Sequence, residues 1–344
     1  MSTNNLESLL SEYEQKRRKA EMNLDERIEN LYKKFPELEE IDDKINQISI
    51  DKTKAILNKQ NGIEEMDKEI SKLKKQKEEF LNKNNIKLEY FKPNYECKIC
   101  KDTGYVQDIN NKTVMCNCLK QKLLNMSYNK SNLSDIKKEN FENYNINLFS
   151  DEINTQKYKI KCSPRQNMIN IKNACMKFIE NFDNLDEKSL LFVGNTGLGK
   201  TYMSNAIANE LLKKGKTVLY QTAPVLLETI IDNKFNKYKN HNADNFYKNV
   251  LNVDLLIIDD LGTESINTLT VSELFTIINT RILNLNNKPT KTIISTNFSI
   301  EQIFKNYEER IGSRIAGNYN IYQFVGEDLR LKRYRGIIEL FSLK

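Results

Sequence analysis

Residues 190–201 read Leu190-Leu191-Phe192-Val193-Gly194-Asn195-Thr196-Gly197-Leu198-Gly199-Lys200-Thr201, and the helix-compatible run SNAIANELLKKG follows at 204–215. An apolar strand that runs into a glycine-rich turn and then into an amphipathic helix supplies the whole context a phosphate-binding P-loop requires. The glycines let backbone N–H groups turn inward around an anion, and the helix N-terminus adds its dipole. A bulky side chain at Gly199 would intrude on the phosphate path. Gly194, Asn195, Thr196, Gly197, Leu198 and Gly199 are therefore expected to cradle phosphates. Lys200 is expected to hold the β- and γ-phosphates, and Thr201 to offer a hydroxyl to Mg²⁺.

Working outward, the apolar runs LLFV, TVLY, VDLLII and TIIS fall between residues 190 and 295 and alternate with helical stretches. That order predicts an α/β domain with a parallel sheet covered by helices on both faces. Residues 253–262, VDLLIIDDLG, end a buried strand on two acids, where a parallel sheet delivers side chains to its active edge. Asp259 is expected to orient Mg²⁺ through water and Asp260 to position or activate the attacking water, with Glu264 a second candidate for the base. The strand KTIISTN ends on Asn297, whose amide can orient that water or touch the γ-phosphate. Arg310 and Arg314 lie four apart on one helical face. Such arginines commonly form surface ion pairs, but in a self-assembling ATPase one of them reaches a neighbour's γ-phosphate. A GTPase would need an Asn-Lys-x-Asp guanine reader. Asn287-Lys288-Pro289-Thr290 ends in Thr, which favours ATP.

The chain has 344 residues, enough for one sizeable core and an accessory module, and the first ninety are polar, charged and nearly free of glycine and proline. A net charge of +6 suits an acidic polymer as partner, yet the abundance of Lys, Asn and Ile throughout is equally what AT-rich codon usage supplies. No apolar run approaches the roughly eighteen residues of a membrane span, and the N-terminal MSTNNLESLLSEYEQ lacks a basic flank followed by an apolar stretch. A soluble, cytoplasmic protein with no membrane partner is expected. His241 is the sole histidine, which excludes a histidine-based triad or a multi-histidine metal site.

Ile63, Met66, Ile70, Leu73 and Phe80 keep heptad spacing, interrupted at Lys77, and Ile41, Ile45 and Ile48 repeat it upstream. Leu9, Tyr13, Ala20, Ile28, Leu31 and Phe35 give a looser stripe ending at Pro36. At least two helices, arranged as an antiparallel hairpin, are expected; a solvated single helix is the alternative. Cys97-x-x-Cys100, fifteen residues, then Cys116-x-Cys118 offer the four thiolates of a closed structural Zn²⁺ site. Redox chemistry is the competing use, but no thioredoxin-like strand precedes either pair. Between residues 224 and 249, Lys234, Lys237, Lys239 and Lys248 mingle with Phe235, Tyr238, Phe246 and Tyr247. These could hold single-stranded nucleic acid by charge and stacking, or form an amphipathic helix with its aromatics packed inward.

The series GNTGLGKT, LLIIDDLGTE, ELFTIINTRI, TIISTN, ERIGSRI and GEDLR, over roughly residues 165–335, resembles the ATPase domain of the DnaC/DnaI family of replicative helicase loaders. The resemblance implies an AAA+ core in which Gly194–Thr201 is Walker A, Asp259 and Asp260 are Walker B, and Asn297 is sensor 1. It makes Arg314, the second arginine of an Arg-x-x-x-Arg box, an arginine finger, and places Arg330 at sensor 2. Two features depart from the pattern. The chain ends at Lys344, too soon for the helical lid that usually carries sensor 2, and Asp260 stands where many AAA+ enzymes use Glu, which suits slow turnover and a switch.

Asp102-Thr103-Gly104-Tyr105 after the first cysteine pair resembles the zinc-containing half of DnaI-like proteins, which implies helicase docking. An initiator-type insertion at 224–249 is likewise implied and tilts that stretch toward DNA. The expected organisation is a coiled-coil segment at 1–92, a zinc module at 93–125, a linker at 126–164 and the ATPase at 165–344. The expected function is ATP-dependent loading of a replicative ring helicase onto single-stranded DNA, by a homo-oligomer when helicase is bound. The alternatives are an IstB-type transposition helper, which usually lacks a cysteine module, and a scaffold that binds nucleotide without hydrolysis.

Overall fold

The computed structural model of the chain describes residues 3–58, 62–127, 138–235, 243–284 and 288–331. Their contacts divide into two units, one of Thr3–Cys116 and one that begins at Asn117.

The first unit opens with three helices, α1 (Thr3–Lys34), α2 (Pro36–Leu57) and α3 (Ile63–Lys83). Pro36 occupies the first turn of α2, where its missing N–H costs nothing, and Glu37 and Glu39 complement the dipole there. Helices α2 and α3 pack as an antiparallel hairpin, with Lys52 paired to Asp67 and Lys77 to Asp42. Leu31, Leu38 and Leu81 bury together, and the rings of Phe35 and Phe80 meet edge to face at 5.7 Å. The interruption of the heptad at Lys77 has a physical reason. Its ammonium donates to both oxygens of the buried Asp42, at 2.6 and 2.8 Å, and lies 4.5 Å from the centre of the Phe91 ring. Tyr32 donates to the same carboxylate. A two-stranded antiparallel ribbon, β1 (Tyr105–Gln107) and β2 (Thr113–Met115), follows.

The second unit begins with α4 (Asn117–Ser127), then α5 (Thr155–Tyr158) and α6 (Pro164–Glu180), whose N-terminus is capped by Ser163. The rest alternates: β3 (Ser189–Val193), α7 (Lys200–Lys213), β4 (Val218–Thr222), α8 (Ala223–Phe235), α9 (Ala243–Asn252), β5 (Leu255–Leu261), α10 (Thr268–Asn284), β6 (Lys291–Thr296), α11 (Ile300–Asn306), α12 (Glu308–Asn318) and β7 (Tyr319–Gln323). The described strands of this unit form a parallel sheet in the order β4-β5-β6-β3-β7. This is the expected α/β core, a parallel sheet with helices packed on both faces.

Side-chain alternation along the buried strands divides the core in two. Leu190, Phe192, Leu255, Ile257 and Ile293 pack with α6 and α7. Leu191, Leu256, Ile258 and Ile294 pack on the other face with α8 to α12. The stretch expected as a linker also joins this core: Phe149 is 2% exposed against Leu190, Phe192 and Phe324, with Phe141, Tyr144 and Ile146 packed at its edge. From β3 the chain crosses to the β4 edge, whereas from β6 it crosses to β7. The carboxyl ends of β3 and β6 are therefore the switch point, where ligands of open α/β sheets bind. No helix among the described residues is long and apolar enough to cross a membrane.

Candidate nucleotide site

The loop after β3 is built on glycines that need left-handed backbone. Gly197 has φ +76° and Gly199 +87°, conformations that side-chain-bearing residues rarely adopt. A Cβ on Gly197 would strike the Asp328 carboxylate at 2.0 Å, whereas one on Gly199 would project into open space. The requirement at Gly199 is thus for its backbone angle, and the requirement at Gly197 is for room. The segment after β7 folds back over the loop, with Leu329 N–H donating to Gly197 O at 3.0 Å.

A cavity of about 390 Å³ opens at this point, lined by Thr196 to Tyr202, Asp260, Thr263, Asn297, Leu329, Arg330 and Glu139. Its volume suits a small-molecule ligand. The Lys200 ammonium donates to Gly194 O at 2.6 Å, Asn195 O at 2.9 Å and Asn297 Oδ1 at 2.7 Å. Asn297 Nδ2 in turn donates to Thr196 Oγ1. Burial lowers the pKa of Lys200, and Arg330 adds to the effect, while Asp260 and Asp259 oppose it.

The two acids that end β5 have different surroundings. Asp259 is 2% exposed and fully engaged: Oδ2 accepts from Thr201 Oγ1 at 2.9 Å and from the Tyr220 hydroxyl, and Oδ1 accepts from Ser295 Oγ. Asp260 sits in an irregularity of the β5–β6 ladder at φ +54°, a left-handed conformation that turns its side chain into the cavity. Burial and the adjacent Asp259 raise its pKa, while Lys200 and Arg330 pull it back. Thr201 presents its hydroxyl at the cavity and is backed by the Asp259 carboxylate, a hydroxyl-acid pair of the kind that serves Mg²⁺, and the neutral oxygens around Lys200 are ones a phosphate can replace. The donor set fits a Mg²⁺-nucleotide.

The sequence of this unit carries the same reading. A profile of the IstB-like ATP binding proteins matches residues 138–333, more than half of the chain. The chain belongs to the IstB-like ATP-binding protein family. It is 26% identical over 182 residues to the replicative helicase loader DnaC of Escherichia coli (strain K12), a match that covers 53% of this chain and 70% of that protein. It is 33% identical over 147 residues to the chromosomal replication initiator protein DnaA of Buchnera aphidicola subsp. Cinara cedri (strain Cc), covering 42% of this chain and 31% of that one. Among solved structures, that of the DnaC helicase loader aligns over 55% of this chain and 98% of its own, at 22% identity and a TM-score of 0.43.

Within this IstB-like core, Arg330 lines the same cavity as the P-loop, placed by the turn in which its N–H donates to Asp328 Oδ1 at 2.8 Å. Arg314 does not line it. It lies exposed on α12, and among the described residues its guanidinium makes no hydrogen bond or ion pair. Arg310 is engaged within the chain, by Glu308 at 2.8 Å and by the Phe275 ring at 4.6 Å. Glu264 is no base in this arrangement: one oxygen accepts the Gly262 N–H at 2.8 Å, the other the Tyr307 hydroxyl.

Several residues at the site carried no sequence signal. Tyr220 and Ser295 hold Asp259 from neighbouring strands, and Glu139 reaches the cavity edge, where Asn205 Nδ2 donates to it at 2.6 Å. Of the basic-aromatic stretch, Phe246 is buried and Tyr247 lies under the Lys234 ammonium, which pairs with Glu273. That is the amphipathic packing; Lys237, Tyr238, Lys239 and His241 lie outside the described residues, as does the side chain of Phe235.

The four sulfurs of Cys97, Cys100, Cys116 and Cys118 lie within 4.8 Å of one another. Lys101 and Asp102 take left-handed backbone at the turn, and the buried Asp102 carboxylate accepts the N–H groups of Glu96 and Cys97. Four convergent thiols, two at this turn and two at the end of β2 and the start of α4, fit a closed tetrahedral metal site.

Proposed function

We propose that this chain is an AAA+ ATPase that loads a replicative ring helicase onto single-stranded DNA, in replication initiation or restart, and that it acts in the cytoplasm. The observation that carries the proposal is the convergence of Lys200, Thr201, Asp260, Asn297 and Arg330 on one P-loop cavity, with the buried Asp259 bonded to Thr201 behind it. The named function of the DnaC relative supports the choice of helicase as partner.

In this reading the backbone of Gly194–Gly199 holds the phosphates, and Lys200 exchanges Asn297 and the loop carbonyls for β- and γ-phosphate oxygens. Thr201 would hold Mg²⁺ and Asp259 would orient it through water; the ion neutralises charge on the phosphates when bound. Asp260 accepts a proton from the attacking water, a task its raised pKa suits. Asn297, released by Lys200, orients that water. Arg330 faces the phosphates from the same chain, and Arg314 is supplied to a neighbouring copy, where a planar cation stabilises the transferring group. Cys97, Cys100, Cys116 and Cys118 would hold Zn²⁺ in a closed structural site, which keeps the module folded for helicase docking.

The test is reconstitution with the replicative helicase of the same organism. The expected result is a stable complex, and ATP-dependent transfer of the helicase onto single-stranded DNA coated with binding protein. No complex and no transfer, from a chain that binds ATP, would leave an ATPase with another client.

A further inference from the structure

The turn at the end of β5 is held at several points. Asp260 N–H donates to Ser295 Oγ at 3.0 Å, and Asp260 O accepts from Thr263 N at 3.2 Å and Thr263 Oγ1 at 2.8 Å. Beyond it, Gly262 stands at φ +105°, and a Cβ there would strike the Phe298 ring at 2.6 Å. The Gly262 N–H is fixed by Glu264, which is 9% exposed and receives its second hydrogen bond from Tyr307, 0% exposed. Phe298 and Tyr307 rings pack together with centroids 6.4 Å apart. Phe298 directly follows Asn297, and Tyr307 is the hinge residue between α11 and α12, followed by Glu308 at φ +66°. Gly262, Glu264, Phe298 and Tyr307 thus form one closed box. It joins the Asp260 turn to the Asn297 turn and ties both to Tyr307, the residue that precedes the helix presenting Arg314.

We infer that Glu264 and Tyr307 are a positioning pair: through Gly262 they set the Asp260 turn and couple it to α12. Neither residue touches the cavity, so neither is a catalytic residue. A buried carboxylate with both oxygens engaged, one by a turn and one by a helix hinge, transmits a displacement of either element to the other. Burial beside Glu264 drives the Tyr307 phenol pKa far upward, so it remains a donor at every working pH. A force applied to α12 at Arg314, as when a neighbouring copy docks, would reach Asp260 of the same chain by this route.

The inference rests on the ATPase reading for its consequence but not for its first readout. Hydrogen exchange of the full chain without nucleotide should show the peptide containing Gly262 exchanging at least about tenfold faster in Tyr307→Phe than in the wild type, with the core strands unchanged. With ATP, the Kd should stay within about twofold while kcat falls at least about tenfold, because the phosphate loop is intact and only the turn is misplaced. In an Asp260→Asn background the same substitution should cost no further turnover, since a residue acting through Asp260 has nothing left to position. Should Tyr307→Phe fail to fold, Glu264→Gln keeps the shape, replaces one acceptor by a donor, and is read in the same way. Unchanged exchange at Gly262 in a folded variant overturns the pair. So does a loss of turnover of equal size in the Asp260→Asn background. Wild-type chain that binds ATP but never hydrolyses it counts against the ATPase reading alone, and leaves the exchange result to judge the pair.

Discussion

The Lys200 ammonium donates to Asn297 Oδ1 at 2.7 Å, so the residue that would grip the phosphate and the residue that would steer the water are bonded to each other. Nucleotide must break this contact, and the release of Asn297 is then a consequence of binding. Lys200→Ala removes the ammonium from a loop whose shape is set by Gly197, Gly199 and the Leu329 contact, so the fold should survive. Affinity for ATP should fall at least about a hundredfold, as expected for a lost charge-assisted contact in a partly buried site. Calorimetric titration showing wild-type affinity would remove the P-loop from the site.

Asp260 is held against two preferences, because its carboxylate is partly desolvated beside Asp259 and its backbone is left-handed. Asp260→Asn relieves both, since Asn has no charge and tolerates that conformation. The variant should be more stable than the wild type at neutral pH by about 0.5–1 kcal/mol, a figure kept small because solvent screens a half-exposed group. The sign follows from the raised pKa. Below the unfolded value Asp260 is protonated in both states and the electrostatic part of the difference vanishes; it grows as pH rises through the unfolded and then the folded pKa. Thermal unfolding across that range checks it, and hydrolysis should fall to a slow but measurable rate throughout, at least about a hundredfold below the wild type.

The cysteine turn should hold about one zinc per chain, bound by four thiolates. Cys97→Ser or Cys116→Ser should release it, and the module should become protease-sensitive while the P-loop unit keeps its affinity for ATP. Metal analysis that finds no zinc in freshly purified protein, with the four thiols titrating freely, would assign the cluster to other chemistry.

Arg281 is 1% exposed and donates to Thr292 Oγ1, Val250 O, Val253 O and Lys291 O, stitching α10 to the end of α9 and to β6. Burial pushes its pKa down to about 10, still above neutrality, so the cation persists with carbonyls as its acceptors. Arg281→Met leaves those carbonyls buried and unpaired, and should lower stability by about 3–5 kcal/mol in urea unfolding. A change under about 1 kcal/mol would mean that water replaces the guanidinium.

What could be read from sequence was whatever lies contiguous along it. The P-loop after β3, the acids at the end of β5 and Asn297 after β6 all lie at strand ends, and a parallel sheet brings strand ends together without further information. The cysteines were legible because close spacing alone restricts where their sulfurs can go. Lys77 looked like a flaw in a heptad because the acid it serves, Asp42, lies on another helix. Glu139 and Phe149 lay in a polar stretch with no period, and only the folded core shows them packed against it. Glu264 was a plausible base by its distance from Asp260; Tyr307, forty-three residues away, takes it out of that role.

Arg314 decides whether this site is complete within one chain. Its guanidinium is exposed on α12, away from the cavity, whereas Arg310 on the same face is tied to Glu308 and Phe275. An arginine supplied across an interface contributes mainly to the transition state, so Arg314→Ala should bind ATP as the wild type does and hydrolyse it about a hundredfold more slowly. The defect should appear only where copies assemble, alone or with helicase. Lys200→Ala chains cannot fire their own sites but still present Arg314, so mixing them with Arg314→Ala chains should restore part of the lost turnover. No single chain can produce that rescue. If Arg314→Ala hydrolyses ATP at the wild-type rate in an assembled complex, the arginine is a surface group. The neighbour then has no part in the chemistry, and Arg330 becomes the cation that stabilises the transferring phosphate.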